Sequence, residues 1–205
     1  MSILTKGLPN TIDVSGRKVA INTDFRAWIK YEEVMLKEDE KAQSQVLEVI
    51  NTCLAEGFKI SSLDELESLF DGFLWFYSLG KKTDGINKIK EEDEKESEFT
   101  NSSLVYSFEH DWAYIYSAFM ECYNINLLTA NLHWWEFKAL FEGLNQKCLF
   151  SRIMSFRSMN ITSKMSKDEK KYYRTMKKIY ALPDERTVEE KENSFARSMM
   201  ASMQI

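Results

Sequence analysis

Two histidines, three cysteines and one Glu-His-Asp triplet are the side chains of this sequence whose types suggest covalent or acid–base chemistry. His110 and His133 lie in separate segments. Zinc needs three or four ligands held in geometry, and no H-E-x-x-H or paired His/Cys spacing occurs. A nucleophilic Cys–His couple could form in space from Cys122 or Cys148, but such pairs are conceivable in most chains. Buried structural thiols are the preferred reading. Glu109-His110-Asp111 could be an acid–base cluster, yet Asp111 as the cap of a following helix accounts for it more simply. No glycine-rich phosphate loop, dinucleotide fingerprint or G-x-S-x-G elbow is present. The expectation is therefore no catalytic residue, no cofactor and no metal.

Non-covalent binding is better supported. Lys167, Lys170, Lys171, Arg174, Lys177 and Lys178 place six cations within twelve positions. Tyr173, Met176 and Tyr180 fall on the opposite helical face and are expected to pack inward. A solvated face is the ordinary reading of such a stripe; contact with an acidic partner, or with the chain's own acidic run, is the functional one. Nucleic acid is not expected, because no second basic element or stacking platform accompanies it. His133-Trp134-Trp135 is the second feature. Adjacent helical residues point about 100° apart, so the two indoles cannot fill one pocket. Trp135 shares a line with Leu132 and Ala139 and is expected in the core, leaving Trp134 for a second helix contact or a partner groove. The partner-binding candidates are thus Trp134, Lys170, Lys171, Arg174 and Lys178.

The elements that must carry these residues are mostly helical. Only 7 Gly and 2 Pro occur in 205 residues, too few for many tight turns between short strands. Residues 11–21 alternate about Ser15-Gly16 and read as a β-hairpin. Asn22-Thr23-Asp24 caps a helix with Phe25, Trp28, Ile29 and Leu36 on one face. A helix is expected over 40–55, with Gly57 closing it. Ser62-x-x-Glu65 is a capping box for a helix ending at Gly80. Further helices are expected over 112–123 (closed by Asn124), 130–142 (closed by Gly143) and 151–159. Ser166-x-x-Glu169 opens another over 167–181, and Thr187-x-x-Glu190 a last one before a fraying tail. The stretch 81–103 holds the run Glu91-Glu92-Asp93-Glu94-Lys95-Glu96 and few apolar residues, and reads as a mobile acidic insert. The predicted fold is mainly α, a multi-helix bundle with a small N-terminal β-hairpin. Residues 1–80 and 104–205 are expected to form one folded unit around the insert.

Composition limits the partners. Aromatics are 13% of residues, enough for a sizeable core, and the formal charge is −5. A net-negative chain is a poor match for the phosphate backbone. Cys53, Cys122 and Cys148 are an odd number without C-x-x-C, which fits a reduced intracellular compartment rather than a disulfide framework. The start has no apolar signal-peptide core, and no apolar run reaches membrane-spanning length.

Three stretches together carry a family likeness: TIDVSGRKVAINTDFRAWI, IYSAFMECYNINLLTANLHWWEFKALFEGL and FSRIMSFRSMNITSKMSKDEKKYYRTMKKIYAL. The most distinctive piece is Leu132-His133-Trp134-Trp135 followed by Phe137, Leu140, Phe141, Gly143 and Leu144. The chain resembles a tail-assembly protein family of siphophages and prophages of Gram-positive bacteria, whose members often carry only the gene-product number fifteen. The resemblance covers both ends and the middle; residues 37–104 are less distinctive. It implies a tail-assembly chaperone in the cytoplasm of an infected or lysogenic host, acting on the tape-measure protein or other tail proteins. It transfers no catalytic residue, and self-association is left open. A structural component of the virion, or a host-directed inhibitor or small enzyme, are the alternatives.

Overall fold

The computed structural model describes residues 3–35, 40–55, 58–81 and 105–183. Leu36, Gly57, the acidic run, the capping box at Thr187 and the C-terminal tail lie outside the described residues. The described chain is mainly helical with one two-stranded antiparallel sheet, as the composition and periodicity predict. A short N-terminal helix, α1 (Ile3–Lys6), precedes the hairpin and has no counterpart in the sequence reading.

The hairpin pairs β1 (Thr11–Val14) with β2 (Arg17–Ala20), Ile12 opposite Val19 and Asp13 opposite Lys18. Ser15 and Gly16 both have positive φ, 51° and 79°, which is the twist a two-residue hairpin turn requires. The Asp13 carboxylate accepts from the Gly16 N–H at 2.9 Å and steadies that turn. Alternation then buries Ile12, Val14 and Val19 and exposes Asp13 and Lys18. The buried face lies on α4 (Leu63–Tyr77). Gly72 allows the contact: a Cβ there would stand 2.9 Å from Ile12 Cδ1 and 3.2 Å from the Asp13 carbonyl oxygen.

Between hairpin and α4 come α2 (Phe25–Met35) and α3 (Glu40–Cys53), packed on one another. Asp24 caps α2, accepting from the Arg26 N–H at 2.8 Å. Ser62 caps α4 as expected, accepting from the Glu65 N–H at 3.2 Å. The return bond of the box is displaced by one residue, however. Glu65 accepts from the Ser61 N–H at 2.8 Å, while its other oxygen is held by Arg17 of the hairpin.

The second half contains α5 (Phe108–Tyr123), α6 (Trp134–Glu142), α7 (Leu149–Ser158) and α8 (Lys167–Ile179). Two helix starts differ from expectation by four residues. Helix α5 begins four residues before 112 because Ser107, not Asp111, is its cap, accepting from the His110 N–H at 3.3 Å. Asp111 lies inside the helix and is buried. Helix α6 begins at Trp134 rather than 130 because the preceding backbone is taken by the segment before α2. The Phe25 N–H donates to the Leu132 carbonyl at 3.1 Å, and the Trp134 N–H donates to the Thr23 carbonyl at 2.8 Å. The expected ends hold: Asn124 is left-handed (φ 54°), and Gly143 is the C-cap of α6.

Aromatic rings fill the core. Phe137 stacks between Phe25 and Phe119 at centroid distances of 4.7 and 5.2 Å, and Trp28 meets Phe73 and Phe76 at 5.5 and 4.5 Å. One contiguous cluster runs from Ile12 to Phe150, so both sides of the acidic stretch share a single apolar core.

Candidate interaction surface

Helix α8 begins with the second capping box. The Glu169 N–H donates to Ser166 Oγ at 3.2 Å, and the Ser166 N–H donates to Glu169 at 2.8 Å. That backbone bond holds the exposed Glu169 carboxyl below its ordinary pKa. The helix has no fully buried residue. Its Tyr173, Met176 and Tyr180 are half-buried, and Phe156 of α7 lies 6.5 Å from Tyr173 and 5.9 Å from Tyr180, stacked on the latter. The expected inward face is therefore the inward face.

What fastens α8 is Arg157 on α7. Its guanidinium meets the Asp111 carboxylate fork-to-fork at 2.5 and 2.9 Å. Its Nε donates to the Tyr180 carbonyl, at the C-cap of α8, at 2.6 Å, and Nη1 donates to the Val105 carbonyl at 3.1 Å. In return Lys177 Nζ donates to the Arg157 carbonyl at 2.8 Å. The pair is nearly dry, with side-chain exposures of 8% for Arg157 and 2% for Asp111, so each charge depends on the other. This corrects the capping role expected of Asp111. An Asp near a helix start resembles a cap in sequence, and its partner stands 46 residues away.

The cations predicted for a partner divide into two groups. Lys171, Arg174 and Lys178 are exposed, and no side-chain hydrogen bond or ion pair engages them among the described residues. Lys170 is half-buried and turns back to donate to the Ser163 carbonyl at 3.1 Å, so it serves the loop before α8.

Of the two roles left open for Trp134, the structure shows the second helix contact rather than a partner groove. The Trp134 side chain is fully buried at 0% exposure, stacked on Tyr77 at 5.3 Å and Phe137 at 5.8 Å. Its Nε1 donates to the Tyr77 carbonyl at 2.9 Å, while Trp135 Nε1 donates to the Phe76 carbonyl at 2.7 Å. The indoles do diverge as helical geometry requires, but both directions end in the core, against the carbonyls at the C-terminal end of α4. His133 caps α6: its Nδ1 accepts from the Trp135 N–H at 3.0 Å, so Nε2 carries the hydrogen and donates to the Pro9 carbonyl at 2.8 Å. Glu136 accepts from the His133 N–H at 3.0 Å and completes the box.

A second polar cluster escaped the sequence reading. Glu32 is buried on α2 and accepts a hydrogen bond from the Tyr77 hydroxyl, with the Tyr106 phenol nearby. Burial first, and the Glu32 carboxylate second, push both phenols far above their ordinary range. Lys138 donates to the Tyr106 oxygen at 3.3 Å, with its Nζ 5.6 Å from the Trp134 ring centroid and 5.7 Å from that of Phe141. Cys53 and Cys148 are buried, and burial pushes the Cys53 thiol up to about 12. Among the described residues no group of three His, Cys, Asp or Glu side chains could hold a metal ion. No described helix is long and apolar enough to cross a membrane.

The geometry thus leaves an exposed basic face on α8 and encloses two polar clusters. Comparison with curated proteins returned no match, and comparison with solved structures returned none either. A family model described as Bacteriophage Gp15 protein matches residues 4–182. That span takes in the hairpin, the His-Trp-Trp cap of α6 and the whole of α8, and the chain belongs to the Bacteriophage Gp15 protein family.

Proposed function

We propose that the protein is a non-catalytic chaperone of phage tail assembly, acting in the host cytoplasm on helical segments of the tape-measure protein or another tail protein. The observation that carries this reading is the family match over residues 4–182, which marks the chain as a phage protein. The surface is compatible with holding apolar helices. Trp112, Tyr116 and Met120 stand at i, i+4 and i+8 on α5, with Trp112 61% and Met120 36% exposed. On α4, Leu63 and Trp75 are 78% and 41% exposed. Helix-in-groove recognition uses anchors at this spacing. Trp134 takes no part in this proposal, because its indole is enclosed.

Co-expression with fragments tiling the tape-measure protein tests the reading. At least one fragment should co-purify and gain solubility. If none does, the chaperone role fails; stoichiometric protein in purified particles would point to a structural tail component instead.

A further inference from the structure

We propose that α8 presents a docking face for an acidic, amphipathic helix of a partner protein, and that the face consists of Lys167, Lys171, Arg174 and Lys178. These four are spaced 4, 3 and 4 residues apart. At 3.6 residues per turn they fall within about 60° of arc, along about 16 Å of axis. All four are exposed, and none has a side-chain hydrogen bond or ion pair among the described residues. The two other cations of the helix are committed within the fold, Lys170 to the Ser163 carbonyl and Lys177 to the Arg157 carbonyl. The stripe is thus narrower than the sequence suggests.

The 4-3-4 interval is the repeat with which one helix follows another, so carboxylates at the same interval on a partner helix meet all four cations. About 120° round the helix from the middle of the stripe, beyond Asp168 and Thr175, Tyr172 and Ile179 are 46% and 61% exposed, seven residues apart on one side. An amphipathic helix lays acids over the cations and apolar side chains over this edge. A phosphate backbone has nothing apolar to place there. The face is also preorganised: the Ser166–Glu169 box fixes one end of α8, and the Arg157 bond to the Tyr180 carbonyl fixes the other. The inference rests on the assembly reading only for the identity of the partner.

The test is a fluorescence-anisotropy titration of the full chain. The probe is a synthetic helix of about five turns, carrying Glu at the 4-3-4 interval and Leu beside it. Its Glu-to-Gln counterpart and a short DNA duplex serve as competitors. The parent protein should bind the Glu peptide, bind the Gln peptide poorly, and lose affinity as salt shortens the Debye length. The variant K167Q/K171Q/R174Q/K178Q should bind at least about tenfold more weakly, as expected for four exposed pairs. K18Q, on the hairpin, should bind as the parent does. The Glu-to-Gln change in the peptide gives the same comparison with the protein unaltered, so a misfolded variant does not decide the outcome. Equal binding of both peptides, undiminished binding by the fourfold variant, or no binding by the parent overturns the proposal. DNA outcompeting the Glu peptide at equal salt overturns the choice of partner. A peptide failure leaves the tape-measure co-expression result standing, so the two readings fail separately.

Discussion

Replacing Asp111 by Ala is the most direct test of how α8 is held. The substitution removes the carboxylate from a pair whose side chains are 2% and 8% exposed and whose hydrogen bonds are 2.5 and 2.9 Å long. The Arg157 guanidinium then keeps only the Tyr180 and Val105 carbonyls, at 2.6 and 3.1 Å, and its charge is left buried without a counter-ion. Breaking a buried pair from one side costs about 3–5 kcal/mol. The Ser107 N–H, which donates to Asp111 at 3.0 Å, loses its partner as well and adds roughly 1 kcal/mol. For a domain of this size each kcal/mol shifts Tm by about 2–4 °C, so the melting point should fall by roughly 10–20 °C. The assay is thermal unfolding followed by circular dichroism, with amide exchange recorded over Lys167–Ile179. The double variant Asp111→Leu/Arg157→Met removes both charges and should recover at least about half of the loss. Exchange in α8 should be faster in it than in the parent, because the Tyr180 carbonyl has lost its donor. A loss below about 1 kcal/mol for Asp111→Ala would refute the argument that the pair is dry and mutually dependent.

Three further outcomes are expected. Trp134→Ala and Trp135→Ala should each destabilise by about 3–5 kcal/mol, since both indoles are buried and hydrogen-bonded to carbonyls of α4; a cost below about 1 kcal/mol for either, by denaturant titration, would count against the enclosed cluster. Gly72→Ala should cost about 1–3 kcal/mol, because the added Cβ meets Ile12 Cδ1 at 2.9 Å and backbone of β1 at 3.2 Å, and unchanged stability would show that the hairpin lifts off α4 freely. Stability should be lost in alkali: Cys53 and Tyr31 are raised to about 12 from 9.0 and 10.0, mainly by burial, so the unfolded chain releases these protons first. Their contribution is fully present below pH 9 and falls as pH rises towards 12, with Tyr77 and Tyr106 acting in the same direction, and a flat denaturation midpoint from pH 8 to 11 would contradict it.

Features whose determinants lie within a few residues were legible in the sequence. The Ser15-Gly16 turn, the Ser166–Glu169 box, the left-handed Asn124 and the amphipathic face of α8 depend on local dihedrals, local donors and helical period, and the chain spells these out in order. Local rules also explain the misreadings. Asp111 looks like a cap because caps are short-range; only the fold brings up Arg157 from 46 residues away and makes it a buried ion pair. Helix periodicity runs back to Ala130, but the Thr23–Phe25 backbone claims the groups at Leu132 and Trp134 and delays the helix to Trp134. The divergence of the two indoles follows from sequence alone, yet whether Trp134 meets solvent or Tyr77 depends on where the C-terminal end of α4 lies against α6. The same holds for the lysines. Spacing places six cations on α8, and only the neighbouring carbonyls of Ser163 and Arg157 decide which two are committed within the fold and which four remain exposed. Burial and pairing at long range are sums over the packed neighbours of a side chain, and those neighbours are chosen by the tertiary structure.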